Sequence, residues 1–437
     1  MAIAGRRVRV GDDQEVHYGL EVEGAPRLTA YFRSKETPAL SDPIDLYDVR
    51  FWLFAAIAVA ILNSLVYRSA RKWAFALVNL LFLGLYLRGK TAVLLVGLVV
   101  LWVFLRQVRA GRLATALSLL GGVGTLGLFV FHKRPELFVG RVPMSQPLES
   151  ILVTIGFSYV ALRLFELSRA VRERRHEPPD FASTVNYLLP FHMLTAGPIQ
   201  SYDEFVAQPG VPPPLKPAHA LGAFDRIASG LFKKYVLANL IQRIFLTDYR
   251  SAGLYVLLEA QLTFLWLYLD FSAYSDIAVG VGRLIGVATP ENFNRPYLSR
   301  NIIEFWERWH ISLSQFIRRN IFIPVQLGLL RWTDGRAPLL VASLAFTASF
   351  LLCGLWHQVN LRWLAWGAFH AAGLVTCNIY RNRLTKRLGG RKGVNRYLAN
   401  RWIRLAMTAL TFEFNVVAVF IVTYPFEIPT WIPGQSN

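Results

Sequence analysis

Two histidines occupy a part of the chain that is otherwise apolar. The segment LLCGLWHQVNLRWLAWGAFHAAGL, residues 351–374, holds His357 and His370 among Leu, Trp, Ala, Phe and Gly. The unperturbed pKa of imidazole lies near neutrality, so a histidine can take up or release a proton at physiological pH. In apolar surroundings such a side chain is either a packed core residue or part of a site that transfers a proton. His310, which follows the tryptophan-rich segment NIIEFWERW, raises the same question.

Carboxylates interrupt a second apolar run. The segment LDFSAYSDIAVGVGRLIG, residues 269–286, contains Asp270, Tyr274 and Asp276. Ionisable groups at membrane depth are costly and normally face the protein interior or a water-filled cavity. The two aspartates are six residues apart, which is not the spacing of three or four that stacks side chains on one helix face. We therefore expect them to bond to backbone groups or to an arginine rather than to act as a catalytic pair.

The elements that position these residues are predicted to be membrane helices. The 437-residue chain is 54% hydrophobic with a mean hydropathy of +0.36, which is more apolar surface than a soluble domain of this size can bury. A spanning helix needs roughly 20 mostly apolar residues. Stretches that fit or nearly fit are 51–67, 74–87, 91–105, 113–131, 148–167, 185–200, 253–287, 338–356, 361–378 and 405–424. We expect an all-α polytopic membrane protein with about ten to twelve membrane helices.

The net charge of +19 also fits a membrane protein. Basic residues flank the apolar stretches, where they contact anionic lipid head groups and help to set topology. The expected partner of this charge is therefore the lipid bilayer and not a nucleic acid. Basic residues are more frequent around 68–72, 106–112 and 169–175 than in the intervening loops, which places these loops in the cytoplasm.

Four regions are predicted along the chain. Residues 1–48 form a polar N-terminal tail that lacks the apolar core of a cleavable signal peptide and is interpreted as an appendage without chemistry. Residues 49–206 form an N-terminal group of transmembrane helices. The Pro-rich segment AQPGVPPPLKPAHA, residues 207–220, is the internal linker. Residues 221–437 form a C-terminal membrane core that holds His310 and His357.

Neither cysteine is predicted to do chemistry. Cys353 and Cys377 lie in apolar stretches without metal-ligand spacing, so we expect small core residues, no disulfide and no metal site. Cys353 is four residues before His357 and would share its helix face, but a reactive thiol needs an accessible, electropositive setting. His192, just ahead of AGPI, is likewise interpreted as structural.

An amphipathic helix is predicted within residues 291–325. Trp306, Trp309, Leu313 and Phe316 recur at steps of three or four residues, and polar side chains fill much of the remaining circumference. Such a helix lies along a membrane interface or lines a partly wet vestibule. His310 would sit beside the tryptophan face, where packing or lipid contact is the common role for a lone histidine.

Five segments together resemble one protein family. They are MLTAGPIQ at 193–200, GLFKKYVLANLI at 230–241, LDFSAYSDIAVG at 269–280, NFNRPYLSRNIIEFWERWHISLS at 292–314 and GLWH at 354–357. Their order and spacing resemble the membrane-bound O-acyltransferases, in particular the bacterial branch with alginate O-acetylases and the D-alanyl exporters of teichoic acid. The resemblance covers roughly residues 150–375 and leaves out the polar tail.

The resemblance implies a helical assembly with a funnel or tunnel through the bilayer and two functional histidines, which fall on His357 and His310. Acyl transfer from a thioester to an alcohol needs a base for the hydroxyl proton and a group that steadies the oxyanion. We assign His357 as the general base; His310 either orients the acceptor hydroxyl or polarises the thioester carbonyl. Further candidates for substrate binding or tunnel lining are Trp309, Arg308, Trp356, Asn294, Tyr274, Asp276 and His370, the last interpreted as a supporting or packing residue.

Two departures from the family pattern leave the substrates open. Gln358 follows GLWH where the family usually has glycine, and Ala371 follows the later histidine where glycine is usual. A side chain at position 358 narrows the approach to His357 or adds a hydrogen bond to substrate. The reaction type is unaffected.

The expected function is a multi-pass enzyme of the cell inner membrane that moves an acyl group, in the simplest case acetyl, onto hydroxyls of an extracytoplasmic polysaccharide or cell-envelope glycan. The donor would be a cytoplasmic thioester, acetyl-CoA or an acyl-carrier thioester, with no bound cofactor. The resemblance also implies an extracytoplasmic partner protein of the SGNH-hydrolase type. Two alternatives stay open: D-alanyl-type transfer from an acyl carrier protein to a cell-wall polymer, and a non-catalytic glycan transporter or scaffold.

Overall fold

The computed structural model describes residues 48–65, 67–87, 98–100, 102–103, 157–173, 175–208, 215–245 and 254–423. Within these ranges the chain is helical, and its one β-type contact is an isolated antiparallel bridge between Phe293 and Trp309. Residues 1–47 of the polar tail, the predicted span at 113–131 and residues 209–214 of the Pro-rich linker lie outside the described residues.

The α-helices of the described residues are numbered in chain order. They are α1 Val49–Ser64, α2 Arg68–Leu87, α3 Phe157–Arg172, α4 Phe181–Leu188, α5 Tyr202–Val206, α6 Pro217–Phe232, α7 Asn239–Phe245, α8 Leu254–Leu284, α9 Ile302–Trp306, α10 Ile311–Ile317, α11 Ile323–Trp332, α12 Pro338–His357, α13 Leu361–Arg387, α14 Arg391–Ala399 and α15 Arg401–Thr423. Two π-helical turns, Lys233–Ala238 and Arg318–Phe322, join α6 to α7 and α10 to α11. Short 3₁₀ turns cover Phe191–Met193 and Pro296–Leu298.

Three of the described helices are long and apolar enough to cross a bilayer: Val256–Leu284 within α8, Pro338–His357 and Arg401–Thr423. They confirm the helices predicted at 253–287, 338–356 and 405–424, and α1 is a shorter apolar helix. The all-α membrane architecture is thereby confirmed. The predicted total of about ten to twelve membrane helices includes stretches outside the described residues and stays a prediction.

Helices α1 and α2 each expose a stripe of apolar side chains. Exposed apolar side chains recur every four residues on each helix, which places them on one face, while Phe51 and Leu62 on α1 and Phe82 on α2 are buried. An apolar stripe of this kind is suited to contact with acyl chains. The stripe residues are Val49, Leu53, Ile57 and Ile61 on α1 and Trp73, Leu77, Leu81 and Leu85 on α2.

Glycines bring two helix pairs into backbone contact. A Cβ atom on Gly354 of α12 would overlap the carbonyl oxygen of Trp363 in α13, and one on Gly367 would overlap the carbonyl of Phe350. On the other pair, a Cβ on Gly280 of α8 would lie 2.9 Å from the carbonyl oxygen of Ala223 in α6. Close approach of this kind is how small residues drive helix association in membranes.

The amphipathic helix predicted within 291–325 is wrong as a continuous element. The chain forms α9, then a turn at residues 307–310, then α10, and His310 itself has a left-handed backbone with φ of 43°. Tertiary contacts override the helical periodicity here. The bridge between Phe293 and Trp309 pairs backbone groups at the break in the helix, and the Asn292 side chain bonds to the His310 ring and the Ser312 amide.

The apolar stretch at 185–200 is also not a membrane-spanning helix. Helix α4 ends at Leu188, and Pro190 and the Gly197–Pro198 step interrupt the helical pattern. Most residues of the following loop are buried. Arg163 of α3, itself fully buried, donates to the carbonyls of Leu188, Met193 and Pro198. Irregular backbone is tolerated at membrane depth where protein groups satisfy it in this way.

Candidate active site

His310 is placed by the pairing of two chain segments. Around the bridge between Phe293 and Trp309, the amide of Asn294 donates to the carbonyl of Arg308 and the amide of Ile311 donates to the carbonyl of Asn292, both at 2.9 Å. The amide of Ser314 then donates to the carbonyl of His310 at 3.0 Å, which starts α10. Non-glycine residues adopt φ > 0 rarely, and when the surroundings impose it the residue is often functional.

The His310 ring is buried and held from one side. It is 3% exposed, and its Nδ1 lies 3.0 Å from Oδ1 of Asn292. Phe271 packs edge-on against it at a centroid distance of 4.8 Å, and Tyr159 of α3 lies at 6.4 Å. The other ring nitrogen, Nε2, is buried and has no hydrogen-bond partner among the described residues. Burial holds the pKa of His310 well below its usual value, and a charge on His357 lowers it further.

His357 is the last residue of α12 and lies in a cage of three tryptophans. Its ring stacks on Trp363 at a centroid distance of 4.5 Å with an interplanar angle of 19°. Trp356 and Trp366 approach it at 4.7 and 5.3 Å. The side chain is half-buried, so it is less enclosed than His310. Gly354 allows the backbone of α12 to contact the backbone of Trp363 in α13, and the ring of Trp363 stacks on His357. This contact therefore helps to position the cage.

Tyr159 connects the surroundings of the two histidines. Its ring lies 6.4 Å from that of His310 and 5.7 Å from that of Trp356, the neighbour of His357. The indole Nε1–H of Trp356 is buried and has no hydrogen-bond partner within the described part of the chain. His310 and Trp356, whose Nε2 and Nε1 atoms are buried without a hydrogen-bond partner in the described residues, are therefore both neighbours of the same phenol ring.

His370 lies behind this arrangement. Its Nδ1 accepts a hydrogen bond of 3.3 Å from Nε1 of Trp306, and Trp366 separates it from His357 with ring centroids at 4.4 and 5.3 Å. The ring is 2% exposed and also contacts Phe350 and Phe414. These contacts join α9 to α13, and the role of His370 as a supporting or packing residue stays a prediction.

The loop 193–200 closes the site from a further side. Tyr274 of α8 accepts from the amide of Ala196 at 3.1 Å and bonds to the Thr195 hydroxyl at 2.9 Å. The amide of Ile199 donates to Ser312 Oγ at 2.9 Å, next to His310. A Cβ on Gly197, which has φ of 84°, would lie 3.0 Å from the Tyr159 ring. The segments MLTAGPIQ, LDFSAYSDIAVG and WHISLS are thus in mutual contact.

Trp309, Arg308 and Asn294 lie around the paired segments. Trp309 stacks on Phe305 at a centroid distance of 5.5 Å and forms part of the buried aromatic wall. Arg308 pairs with Glu304 at 2.8 Å, so its guanidinium stabilises α9 across one turn. The Asn294 side chain is exposed. The structure therefore brings His310, Trp356, His357 and His370 together and leaves Arg308 and Asn294 at the edge.

Asp276 belongs to a cluster of ion pairs. Its carboxylate lies 2.6 Å from Lys233 Nζ and 2.7 Å from Arg226 Nε, and Asp270 pairs with Lys234. The two lysines belong to the π-helical turn that follows α6, which explains the charges of the GLFKKY segment. Arg226 at Asp276 matches the expected arginine, whereas the lysines at both carboxylates stand where backbone partners were expected.

A surface cavity of about 360 Å³ lies near the same loop, and its lining includes neither His310 nor His357. Its lining includes Arg71, Lys72, His176, Met193 and Gln200. Met193 and Gln200 are the two ends of the loop 193–200, whose Ile199 amide bonds to Ser312 beside His310. One loop therefore borders both the cavity and the histidine site.

Sequence reasoning missed Tyr159, Asn292 and Arg163. Tyr159 lies in a helix without an unusual pattern, so no sequence signal marks it. Asn292 and Asn294 both occur in the NFN segment, and no local pattern distinguishes the asparagine that holds His310 from the exposed one. A single Arg163 inside the apolar stretch 148–167 was a signal for a buried cation with backbone partners.

Comparison with known proteins places the chain in a family. The model of MBOAT, the membrane-bound O-acyltransferase family, matches residues 89–411, a range that includes His310 and His357. Teichoic acid D-alanyltransferase of Bacillus subtilis is 26% identical over 303 residues, which are 67% of this chain and 72% of that protein.

Two relatives are named for O-acetylation. "Probable alginate O-acetylase AlgI" of Pseudomonas aeruginosa is 31% identical over 243 residues, 52% of this chain and 43% of that protein. Peptidoglycan O-acetyltransferase of Helicobacter pylori is 32% identical over 220 residues, 47% of this chain and 38% of that protein. The chain thus matches less than half the length of these two relatives. Since the family match spans most of the chain and contains the histidine site, the chain belongs to the membrane-bound O-acyltransferase family and is an acyltransferase.

Proposed function

We propose that the protein transfers an acyl group, in the simplest case acetyl, from a cytoplasmic thioester to hydroxyls of an extracytoplasmic polysaccharide or cell-envelope glycan. The hydroxyl oxygen attacks the thioester carbonyl carbon, and His357 takes up the hydroxyl proton. The carbon–sulfur bond then breaks, and the leaving thiolate receives the proton from His357. The products are an ester and a free thiol.

The observation that carries this proposal is that two rings next to Tyr159, those of His310 and Trp356, each have a buried nitrogen without a hydrogen-bond partner in the described residues. Leaving a buried polar atom unpaired costs about 1–3 kcal/mol, so sites with such atoms are commonly completed by a ligand or water. Trp356 Nε1–H can donate to the carbonyl oxygen as it gains charge, and His310 Nε2 can bind the acceptor. Acyl transfer needs one group of each kind within reach of a base.

The settings of the two histidines support different roles. His310 is enclosed, and burial lowers its pKa, so it is a weak base for a full proton transfer. His357 is half-buried at the C-terminal end of α12 and is therefore more accessible than His310. We therefore assign proton transfer to His357 and substrate orientation to His310.

The proposal includes a passage through the membrane, because the donor and the glycan are on opposite sides. The loop 193–200 supports a route, since it borders the surface cavity at Met193 and Gln200 and reaches Ser312 beside His310. Placement in the inner membrane and an extracytoplasmic partner of the SGNH-hydrolase type are part of the same proposal.

The decisive experiment supplies purified protein with acetyl-CoA or with a D-alanyl-charged carrier protein and measures which thioester is consumed. The D-alanyl arm is included because the teichoic acid relative aligns over 67% of this chain. In cells, His357→Ala should abolish ester groups on the glycan at unchanged protein abundance. Unchanged esterification would remove the catalytic assignment.

The transporter alternative depends on Asp270 and Asp276 within the membrane. Both carboxylates are paired with cations of the Lys233–Ala238 turn or α6, so they are not available to a passing substrate in this arrangement. If the protein moved glycan without chemistry, His357→Ala would reduce glycan export while the ratio of ester to sugar stayed constant.

A further inference from the structure

The side-chain amide of Asn292 has an orientation that the surrounding donors determine. Asn292 is 1% exposed, and its Oδ1 accepts from the Ser312 amide at 3.2 Å and from the Ser312 hydroxyl at 2.8 Å. A backbone N–H is always a donor, so the amide atom that faces it must be the oxygen. The Nδ2 group then points to Ser275 Oγ at 3.3 Å, where it donates.

This orientation fixes the proton on His310. The third group at Asn292 Oδ1 is Nδ1 of His310 at 3.0 Å. An amide oxygen carries no hydrogen, so Nδ1 must be the donor and must bear the proton. A neutral imidazole has one N–H, which leaves Nε2 with a bare lone pair. Nε2 is the ring nitrogen that is buried without a hydrogen-bond partner in the described ranges.

We propose that Asn292 is a positioning residue that holds His310 as a hydrogen-bond acceptor, so that His310 Nε2 binds a hydroxyl of the acceptor glycan and not the thioester carbonyl. A lone pair repels a carbonyl oxygen and cannot stabilise an oxyanion, whereas it accepts well from O–H. This inference rests on the proposed acyl transfer. Of the two roles that the sequence left open, His310 then orients the acceptor hydroxyl and does not polarise the thioester carbonyl.

The assignment also names the chemical class of the acceptor. The reacting hydroxyl gives its proton to His357, so the hydrogen bond to His310 comes from a second hydroxyl of the acceptor. A saccharide offers more than one hydroxyl. Asn292 thus acts through His310 on the orientation of a polyhydroxylated acceptor and touches neither substrate.

The proton position can be measured without activity. The full-length protein, labelled with ¹⁵N in its histidine rings, should show His310 protonated at Nδ1 and bare at Nε2, with His310→Gln identifying the signal. Asn292→Leu removes the acceptor oxygen, so a form protonated at Nε2 should appear. Asn292→Asp keeps an acceptor oxygen and should preserve the Nδ1 proton. A wild-type His310 protonated at Nε2, or an unchanged ring in Asn292→Leu, overturns the proposal.

A matched control separates this effect from the loss of a buried amide. Asn415 of α15 is 2% exposed and donates to the carbonyl of Thr411 at 2.7 Å, within its own helix. Asn415→Leu makes the same chemical change at the same degree of burial. It should leave the His310 signals in place, and a change there equal to that of Asn292→Leu would assign the effect to general destabilisation.

Kinetics then test the substrate that His310 contacts. In Asn292→Leu the KM for the glycan acceptor should rise about tenfold, the effect of one lost hydrogen bond, while the KM for the thioester stays constant. Asn292→Asp should restore most of the acceptor KM. A rise in the thioester KM instead would place His310 on the donor and overturn the proposal. Failure of the proposed function looks different, because wild-type protein would then consume no thioester while the ring spectra still report the Asn292–His310 bond.

Discussion

Gly354 of α12 packs directly against the backbone carbonyl of Trp363 in α13, and the ring of Trp363 stacks on His357 at 4.5 Å. The glycine is the first residue of the GLWH segment. The contact therefore links a sequence motif to the position of its histidine.

Gly354→Ala should separate α12 from α13 and displace His357 from Trp363. A Cβ forced against a backbone carbonyl cannot be relieved by a side-chain rotation, so we expect a loss of about 1–3 kcal/mol in stability. Transfer activity should fall at least about tenfold, since small displacements of a catalytic group are costly. Thermal unfolding in detergent and esterification assays measure both effects. Gly328→Ala in α11, where nothing lies within 4 Å of the added Cβ, is the control; it should raise stability by about 0.5–1 kcal/mol, the usual gain of Ala over Gly in a helix, and leave activity unchanged.

His370→Leu should destabilise the protein more than it slows the reaction. It removes the acceptor of the Trp306 Nε1–H bond and leaves a buried donor unpaired, at a cost of about 1–3 kcal/mol. His370→Asn can place an amide oxygen near the position of Nδ1 and should recover much of the loss. His357→Ala should show the opposite pattern, with activity reduced about 10²–10⁴-fold and little change in melting temperature. A His370→Leu protein of normal stability and no activity would move His370 into the catalytic machinery.

The stability of the protein should fall as pH decreases below the usual histidine range. Burial lowers the pKa of His310 in the folded state, so the unfolded chain binds the proton more readily. Below about pH 6.5 each pH unit then costs up to about 1.4 kcal/mol until the folded-state pKa is reached. Above about pH 6.5 the His310 side chain is neutral in both the folded and the unfolded state, so it does not change the free energy of unfolding with pH.

His310→Gln isolates this contribution. The variant lacks the titrating group, so its melting temperature should fall less steeply between pH 6.5 and 5 than that of the wild type. Other buried histidines remain in both proteins and cancel in the comparison. Parallel pH profiles for the two proteins would contradict a depressed pKa at His310.

Arg163 should be essential for the order of the loop 193–200. Its guanidinium donates to the carbonyls of Met193 and Pro198 at 2.9 and 3.0 Å and to that of Leu188 at 3.3 Å. Arg163→Met leaves these buried carbonyls without their donors, and we expect a loss of about 3 kcal/mol or more. Hydrogen exchange should increase selectively in residues 190–200. Arg169→Met, on the half-buried side of the same helix, is the comparison and should leave the exchange of that loop unchanged.

Hydrophobic periodicity predicted the helices that touch lipid and failed where the chain turns inside the protein. Helices α8, α12 and α15 follow from their apolar length, because a bilayer imposes a span on any such sequence. Within 291–325 and 185–200 the same kind of pattern led to elements that do not exist. There the apolar residues meet protein instead of lipid, so burial no longer requires a regular helix.

Residue chemistry and family resemblance identified His310 and His357 as candidate functional residues, because a histidine in an apolar segment is unusual and can be recognised from the local sequence. The sequence also determined that the chain is a helical membrane protein, because apolar length and basic flanks act locally. Tertiary structure alone decided which nitrogen of His310 has no hydrogen-bond partner in the described residues, which indole lies next to Tyr159 and which of two neighbouring asparagines holds the ring. Those properties depend on contacts between residues far apart in the chain, such as Asn292 with Ser312 and Tyr159 with Trp356, and no local pattern records them.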